Sequence, residues 1–260
     1  MTYSDHALQV FQAGYSPLPL TPGTKSGHLP AGFSGYEGRN VSRADVQTWI
    51  EDRPGDNIAA RLPRNVIGID VDAYGDKTGA RTLDDLCQKY GQLPLTWRVS
   101  SRFGDEYDGF SGILLFQIPT DFADKAHDQN TGWITGWENV DLIRFGHRFV
   151  VAPGSMHARG TKYQVYDETT AEINQLMPKV SDLPELPPRW CDALLTAESG
   201  RERRDKAESQ WWTDGKSCNA VSARLGQSIS ELQTGRHESC RDNLLSLTRL
   251  GEQGHEGVRK

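Results

Sequence analysis

The sequence predicts an α+β domain in which a sheet carries helices on one side. Segments with helical spacing of apolar residues alternate with short β-prone runs, and turn-forming residues separate them. The 260 residues, 36% apolar and 25% charged, are enough for one large domain and a smaller one.

Three segments predict helices. Residues 4–14 form a short amphipathic pattern, and "SRADVQTWIED" follows Ser42, which suits a helix N-cap. The segment "TLDDLCQKYG" places leucines on one face and ends at Gly91. Between the first two segments, a Pro- and Gly-rich stretch leaves room only for a short strand near residues 18–20.

The strands are predicted from runs of β-branched and aromatic residues bounded by turn residues. The first is "RNVIGIDV", which begins at residue 64. Further along the chain come "LTWRVSSR", "FSGILLFQIP", "VDLIRFG", "RFVVAPGS" and "TKYQVYD".

Composition excludes several classes of protein. A net charge of −6 argues against a protein that coats nucleic acid by bulk electrostatics, although a local basic groove is compatible with it. The four cysteines form no Cys-x-x-Cys pair, which indicates reduced thiols and neither a zinc site nor a disulfide framework. The chain has neither a secretion signal nor an apolar run long enough for a membrane helix, so we expect a cytoplasmic protein.

The character of the chain changes near residue 196. We predict a main domain over residues 1–195, a charged linker over 196–215 and a helical extension over 216–260. The last residues, "GEQGHEGVRK", contain no compact closing element, which suggests a fragment of a longer protein.

The predicted strand that begins at residue 64, in the run "RNVIGIDVDAYGD", ends in two carboxylates. Residues i and i+2 of a strand share a face, so Asp70 and Asp72 project together, away from the isoleucines before them. Their repulsion is most commonly relieved by a divalent cation, and Mg²⁺ and Mn²⁺ prefer such hard oxygen ligands. The alternative is a strand that runs into an ordinary acidic turn.

A third carboxylate and several cations follow later in the chain. Asp141 opens a β-prone run and is followed closely by Arg144, His147 and Arg148, a composition that suits a site for metal and triphosphate. The alternative is a structural ion pair between Asp141 and an arginine. The segment "RVSSRFGDEYDGFSG" supplies Arg102, serines and glycines between two strands, which lets backbone amides approach phosphates, unless it is a plain solvent-exposed loop.

These residues occur in an order that resembles the bifunctional primase-polymerase family, a branch of the archaeo-eukaryotic primase superfamily. The resemblance rests on "GYSPLPL" near residue 14, on "NIAARLP" leading into "GIDVD", and on a Ser-Gly loop. It continues through the Val-Asp pair at residues 140–141, "VVAPGS" at 150–155 and Tyr163.

The resemblance implies a fold and a set of site residues. The fold is an RRM-like palm with a mixed sheet and flanking helices. Asp70, Asp72 and Asp141 fall on the family's catalytic acids, which bind two divalent ions, Mg²⁺ or Mn²⁺. Ser111 falls on the second motif, but the histidine that follows there in the family is replaced by Ile113. We expect Arg102, Arg144 and His147 to bind the nucleotide in its place, with His157 a further choice.

The implied function is that of a DNA primase and DNA polymerase from a phage or plasmid replication protein. Its partners are a single-stranded DNA template, a primer and nucleoside triphosphates, and the tail resembles the segment that precedes a helicase domain. Lys25 and Arg148 are the residues expected at the DNA, although a loop lysine such as Lys25 is more often merely solvated. Two alternatives remain: a non-catalytic DNA-binding module with a degenerate primase fold, and another metal-dependent phosphodiesterase such as a nuclease.

Overall fold

A computed structural model describes residues 2–24, 29–102, 111–123 and 137–196, together with Ala223 and Gln227. Residues 1–199 form one compact unit. The predicted linker over 196–215 and helical extension over 216–260 lie almost wholly outside the described residues, and both stay predictions.

The three predicted helices are confirmed, with ends within a few residues of those expected. Ser42 caps the second: its hydroxyl accepts the N–H of Asp45 at 3.2 Å, and the Asp45 carboxylate accepts the Ser42 N–H at 2.8 Å. The third ends at Gly91, whose φ of 99° lies in the left-handed region. The helices are α1 (Tyr3–Gln12), α2 (Arg43–Asp52), α3 (Gly79–Tyr90) and α4 (Pro188–Thr196), and a 3₁₀ turn spans Val180–Asp182.

The strands form two sheets, where the sequence predicted one. A three-stranded sheet has the order β1-β2-β7 and a six-stranded sheet the order β6-β3-β5-β4-β8-β9. Their bounds are β1 (Ser16–Leu20), β2 (Asn57–Arg61), β3 (Val66–Val71), β4 (Trp97–Ser100), β5 (Gly112–Gln117), β6 (Val140–Ile143), β7 (Val150–Val151), β8 (Gln164–Asp167) and β9 (Glu172–Asn174).

The prediction of a mixed sheet is wrong, because every described pair of neighbouring strands is antiparallel. The crossover through α3 does connect two strands that run in the same direction, β3 and β4. However, β5 inserts between them and pairs antiparallel with both. The α+β class is confirmed, while the RRM-like palm stays a prediction.

The two faces of the six-stranded sheet bury different cores. On one face, Ile67, Ile69 and Val71 of β3 pack with residues of α3 and α4, including the fully buried Trp190. On the other face, residues such as Leu115 pack with β1, β2, α1 and α2. Successive side chains of a strand point to opposite faces, so Asp70 projects away from Ile67 and Ile69, as the sequence predicted.

Arg61 connects β2 to two loops. Its buried guanidinium donates to the carbonyl oxygens of Gly35 (2.7 Å), Gly38 (2.9 Å), Arg39 (3.2 Å) and Phe145 (3.0 Å). A buried cation is tolerated when all of its donors find acceptors. This one side chain therefore holds the loop after Phe33 and the turn after β6 against the small sheet.

Among the described residues, no helix is both long and apolar enough to cross a membrane.

Stability at alkaline pH follows from buried tyrosines. Burial raises the pKa of Tyr3 and Tyr15, and Tyr3 donates to the Pro17 carbonyl at 2.9 Å. The unfolded chain ionises near the ordinary tyrosine value of about 10, so the stability that neutral tyrosines contribute is complete below that pH and is lost above it. We expect the urea midpoint to fall as the pH rises from about 9 to about 11.

The Tyr3→Phe variant isolates this contribution from that of titrating lysines. At neutral pH it should be less stable by about 1 kcal/mol, because it lacks the hydrogen bond to Pro17. The difference from the wild type should shrink with rising pH. A difference that stays constant through this range would contradict the assignment.

Candidate active site

Two carboxylates face each other across neighbouring strands. Asp70 of β3 is in register with Asp141 of β6 on one side and with Ile113 of β5 on the other. Directly opposed residues of an antiparallel pair have Cβ atoms about 5 Å apart, and like charges at that distance destabilise the pair. The register thus brings together two acids that are 71 positions apart in the sequence and leaves their repulsion to be offset.

Asp72 joins them from just beyond the end of β3. Its backbone N–H donates to the Asn139 carbonyl at 2.9 Å, and its own carbonyl accepts the N–H of Gly79 at 3.0 Å. A Cβ atom at Gly79 would lie 2.4 Å from the Asp72 oxygen and 2.6 Å from that of Asn139. Only glycine therefore allows the start of α3 to approach and fix the backbone that carries Asp72.

Two cations lie among the three carboxylates. Arg148 Nη1 is 2.9 Å from Asp141 Oδ2 and 3.7 Å from Asp70 Oδ2, and so bridges the facing pair. Lys77 Nζ donates to Asp72 Oδ2 at 2.9 Å, and this contact raises the pKa of Lys77. Arg148 has φ 64°, a conformation that costs a non-glycine residue about 1 kcal/mol or more.

The three acids have the chemistry of a divalent cation site. In the described part of the chain, no group of three or more His, Cys, Asp or Glu side chains is arranged as a metal site; Arg148 contacts Asp141, and Lys77 contacts Asp72. The donors nevertheless fit Mg²⁺ or Mn²⁺, because carboxylates are hard oxygen ligands and all three line one cleft.

The acids form one wall of an open cleft of about 300 Å³, called here the carboxylate cleft. Its floor is apolar and includes Ile113 and Ile143, which flank Gly68 so closely that a Cβ there would lie 2.7 Å from Ile113 Cγ2. The residues that define it are Asp70, Asp72, Asp141, Arg148, Tyr74, Arg102, Ser111, Ile113, Phe149 and Tyr163.

Arg102 and Ser111 line this cleft, as expected of nucleotide-binding residues. The Arg102 guanidinium lies over the Tyr74 ring, 3.6 Å from its centroid. Such stacking restricts the plane of the guanidinium. The cleft therefore combines three carboxylates with an oriented cation.

Tyr163 presents a neutral hydroxyl to the cleft. Burial raises its pKa to about 12; the nearby charge of Asp70 raises it as well, while a hydrogen bond with Ser101 and the charge of Arg102 lower it. The phenol therefore keeps its proton at any pH at which the protein would work and acts as a hydrogen-bonding group.

The other expected nucleotide-binding residues lie elsewhere. Arg144 and His147 exchange backbone hydrogen bonds of 3.0 Å in a tight turn, and neither lines the carboxylate cleft. The Arg144 guanidinium lies over the Tyr36 ring, 5.3 Å from its centroid. Burial, together with Arg144 and Arg148, lowers the pKa of His147, so its imidazole is neutral near pH 7.

Of the expected DNA-binding residues, Arg148 lies in the cleft and Lys25 lies outside the described residues. The further choice, His157, lies beside Tyr163, with ring centroids 5.7 Å apart.

Three aromatic residues also line the cleft: Tyr163, which the sequence indicated only as part of the family resemblance, and Tyr74 and Phe149, which it did not indicate. Tyr74 extends the i, i+2 series of Asp70 and Asp72, so the same alternation could have indicated it. No comparable signal exists for Phe149, because its place depends on the turn that precedes β7.

A comparison with known families identifies the family of the chain. A family model described as the N-terminal domain of bifunctional DNA primase/polymerase, Prim-Pol, matches residues 7–190. A comparison with curated proteins found no match. The family match covers well over half of the chain, including every residue of the carboxylate cleft, and it confirms the resemblance. The chain belongs to the bifunctional DNA primase/polymerase family.

Proposed function

We propose that this chain is a template-dependent nucleotidyltransferase, a DNA primase and DNA polymerase that works by two-metal phosphoryl transfer. The observation that carries the proposal is the register of Asp70 against Asp141, with Asp72 beside them in the same cleft. A purely structural role explains this poorly, because facing carboxylates lower the stability of a sheet.

In this proposal, Asp70, Asp72 and Asp141 hold two divalent ions, Mg²⁺ or Mn²⁺. Such ions supply activation of a primer hydroxyl and neutralisation of the triphosphate. Arg102, held flat by Tyr74, binds the phosphates from the opposite side together with Ser111. The apolar floor of Ile113 and Ile143 excludes water beneath the nucleotide and thereby strengthens these charged contacts.

Arg148 has two roles in this proposal. When no metal is bound, Arg148 offsets the repulsion between Asp70 and Asp141. When the carboxylates bind metal, Arg148 moves away from them and contacts a DNA phosphate. Its partial exposure, 45% of the side chain, is compatible with such a movement. The partners proposed are thus a single-stranded template, a primer and nucleoside triphosphates, with a helicase domain of a phage or plasmid replication protein beyond residue 260.

The second candidate is a DNA-binding module without catalytic activity. It is favoured by Ile113, which stands next to Asp70 where the family resemblance leads us to expect a histidine. An isoleucine cannot bind a phosphate. The two candidates differ in whether the chain extends DNA at all.

Primer extension on a single-stranded template, with deoxynucleotides and Mn²⁺ or Mg²⁺, tests the proposal. We expect extension by the wild type, and a loss of roughly a hundredfold or more for Asp70→Asn and for Asp141→Asn. The matched control is Asp85→Asn, an exposed carboxylate of α3 away from the cleft, which should keep full activity. No extension by the wild type in either metal would favour the binding module, and shortened DNA would indicate a nuclease.

The same variants separate catalysis from structure. Asp141 is 63% exposed, and exposed ion pairs contribute at most about 1 kcal/mol, so Asp141→Asn should change the free energy of unfolding by no more than that. A large loss of stability in urea denaturation would mean that Asp141 serves mainly as a structural partner of Arg148.

Metal binding should compete with Arg148. Replacement by glutamine removes the charge that occupies the space between Asp70 and Asp141, so we expect Arg148→Gln to bind Mn²⁺ more tightly, by roughly fivefold. Titration calorimetry in the absence of DNA and nucleotide measures this directly. Lys162→Gln, an exposed cation outside the cleft lining, is the control. Weaker Mn²⁺ binding by Arg148→Gln would contradict the proposed site.

A further inference from the structure

A second cavity, of about 390 Å³, is lined in part by Phe145 of the turn that follows β6. We call it the arginine pocket. None of the described residues that line it is acidic; they are Tyr36, Gly38, Arg39, Asn40, Pro63, Arg64 and Phe145. In a chain of net charge −6, a cavity lined with arginines, an asparagine and aromatic rings is an unusual local environment.

Aromatic rings hold the guanidinium groups around this pocket. The Arg64 guanidinium lies 4.9 Å from the centroid of the Phe145 ring, and that of Arg61 lies 3.8 Å from the same ring. Arg39 lies 3.8 Å from the centroid of Phe33. Stacking restricts the plane of the Arg64 guanidinium before any ligand arrives, so less side-chain entropy is lost when Arg64 binds an anion.

The positive charge beneath the pocket is not neutralised by its hydrogen bonds. All four acceptors of Arg61 are backbone carbonyl oxygens, which satisfy its donors without cancelling its charge. Burial lowers the pKa of Arg61, and the charge of Arg64 lowers it further, but an arginine remains protonated in proteins. At the rim, Asp45 offsets Arg39 through contacts of 2.8 and 3.1 Å. The uncancelled charge of Arg61 therefore favours an anion in the pocket above it.

The position of the pocket indicates which anion. The turn over residues 144–148 contributes Phe145 to the arginine pocket and Arg148 to the carboxylate cleft. The two cavities therefore share one short turn, which places the pocket within reach of a nucleic-acid strand that occupies the cleft. The pocket also lacks an acid among its described lining residues, so it offers no ligand for the divalent ion that accompanies a nucleoside triphosphate.

We propose that the arginine pocket binds a phosphodiester group of single-stranded DNA and holds the template beside the cleft. This rests on the proposed function for the identity of the strand, but the binding itself does not require catalysis. Arg64 and Asn40, both exposed, supply the donors at the surface, and Arg61 supplies charge from below.

Fluorescence anisotropy of a labelled single-stranded oligothymidine, measured on the 260-residue chain without nucleotide or divalent metal, tests this. We expect Arg64→Gln to weaken binding roughly tenfold at low salt. The slope of log affinity against log salt should fall in magnitude by about 0.7, the value for one phosphate contact on a single strand. Arg64→Lys, which keeps the charge, should retain the wild-type salt slope.

Arg189→Gln is the control, an exposed arginine on α4 that lies outside both cavities. Thermal melts of all three variants establish that they are folded. Arg64→Gln binding within twofold of the wild type, with an unchanged salt slope, would overturn the proposal. A separate titration with free deoxynucleotide gives the other contrary result. If Arg64→Gln weakens only the binding of free deoxynucleotide and leaves oligonucleotide binding unchanged, the pocket is a nucleotide site.

These outcomes are independent of polymerase activity. If the wild type fails to extend primers while Arg64→Gln still binds the oligonucleotide more weakly than the wild type, the enzymatic proposal fails and the arginine pocket stands as a DNA site. If primers are extended and Arg64→Gln binds the oligonucleotide normally, the pocket fails and the enzymatic proposal stands.

Discussion

Repulsion between carboxylates is the constraint around which one end of the six-stranded sheet is organised. Asp70 and Asp141 are directly opposed, and Asp72 lies on the same side. The protein offsets this repulsion with Arg148, held in a left-handed backbone conformation, and with Lys77. Such partly exposed ion pairs contribute little net stability, so a contribution to stability alone does not explain why three acids lie together here.

The fold provides a rigid support for these acids. β5 enters between the two strands joined by the α3 crossover, which makes β3 a central strand paired on both sides. The face of β3 opposite the acids is fully buried against α3 and α4. At its end, the glycine that opens α3 allows backbone contact with Asp72. A site built on a central strand moves little, which suits chemistry that depends on positioning.

The sequence predicts the parts of this site that depend on local geometry. A period of two places Asp70 and Asp72 on one face, and the N-cap of α2 and the C-terminal glycine of α3 follow from their residue types. The register with Asp141 cannot be read in this way, since it depends on which strands pair. The mixed sheet came from the family resemblance, and nothing local in the sequence could correct it, because the insertion of β5 between β3 and β4 has no local signal.

Other differences have similar physical causes. Strand β2 was not predicted from the sequence, because it is short and ends in a charged residue, Arg61. In the structure this side chain is buried and donates hydrogen bonds to backbone carbonyl oxygens. Helix α4 was not predicted either, because the prolines that precede it are typical of a turn. Arg144 and His147 are near Asp141 in sequence, but β6 ends at Ile143 and the chain turns away from the cleft. Closeness in sequence is a weak guide once a strand has ended.

The proposed function requires Asp70, Asp72 and Asp141 to bind divalent cations together. The most direct measurement is anomalous X-ray scattering from a crystal of the chain grown with Mn²⁺ and a non-hydrolysable nucleoside triphosphate. We expect a manganese peak about 2.1 Å from carboxylate oxygens of both Asp70 and Asp141, with Arg148 moved aside. A map without such a peak, in which Arg148 still bridges the two carboxylates beside bound nucleotide, would contradict it.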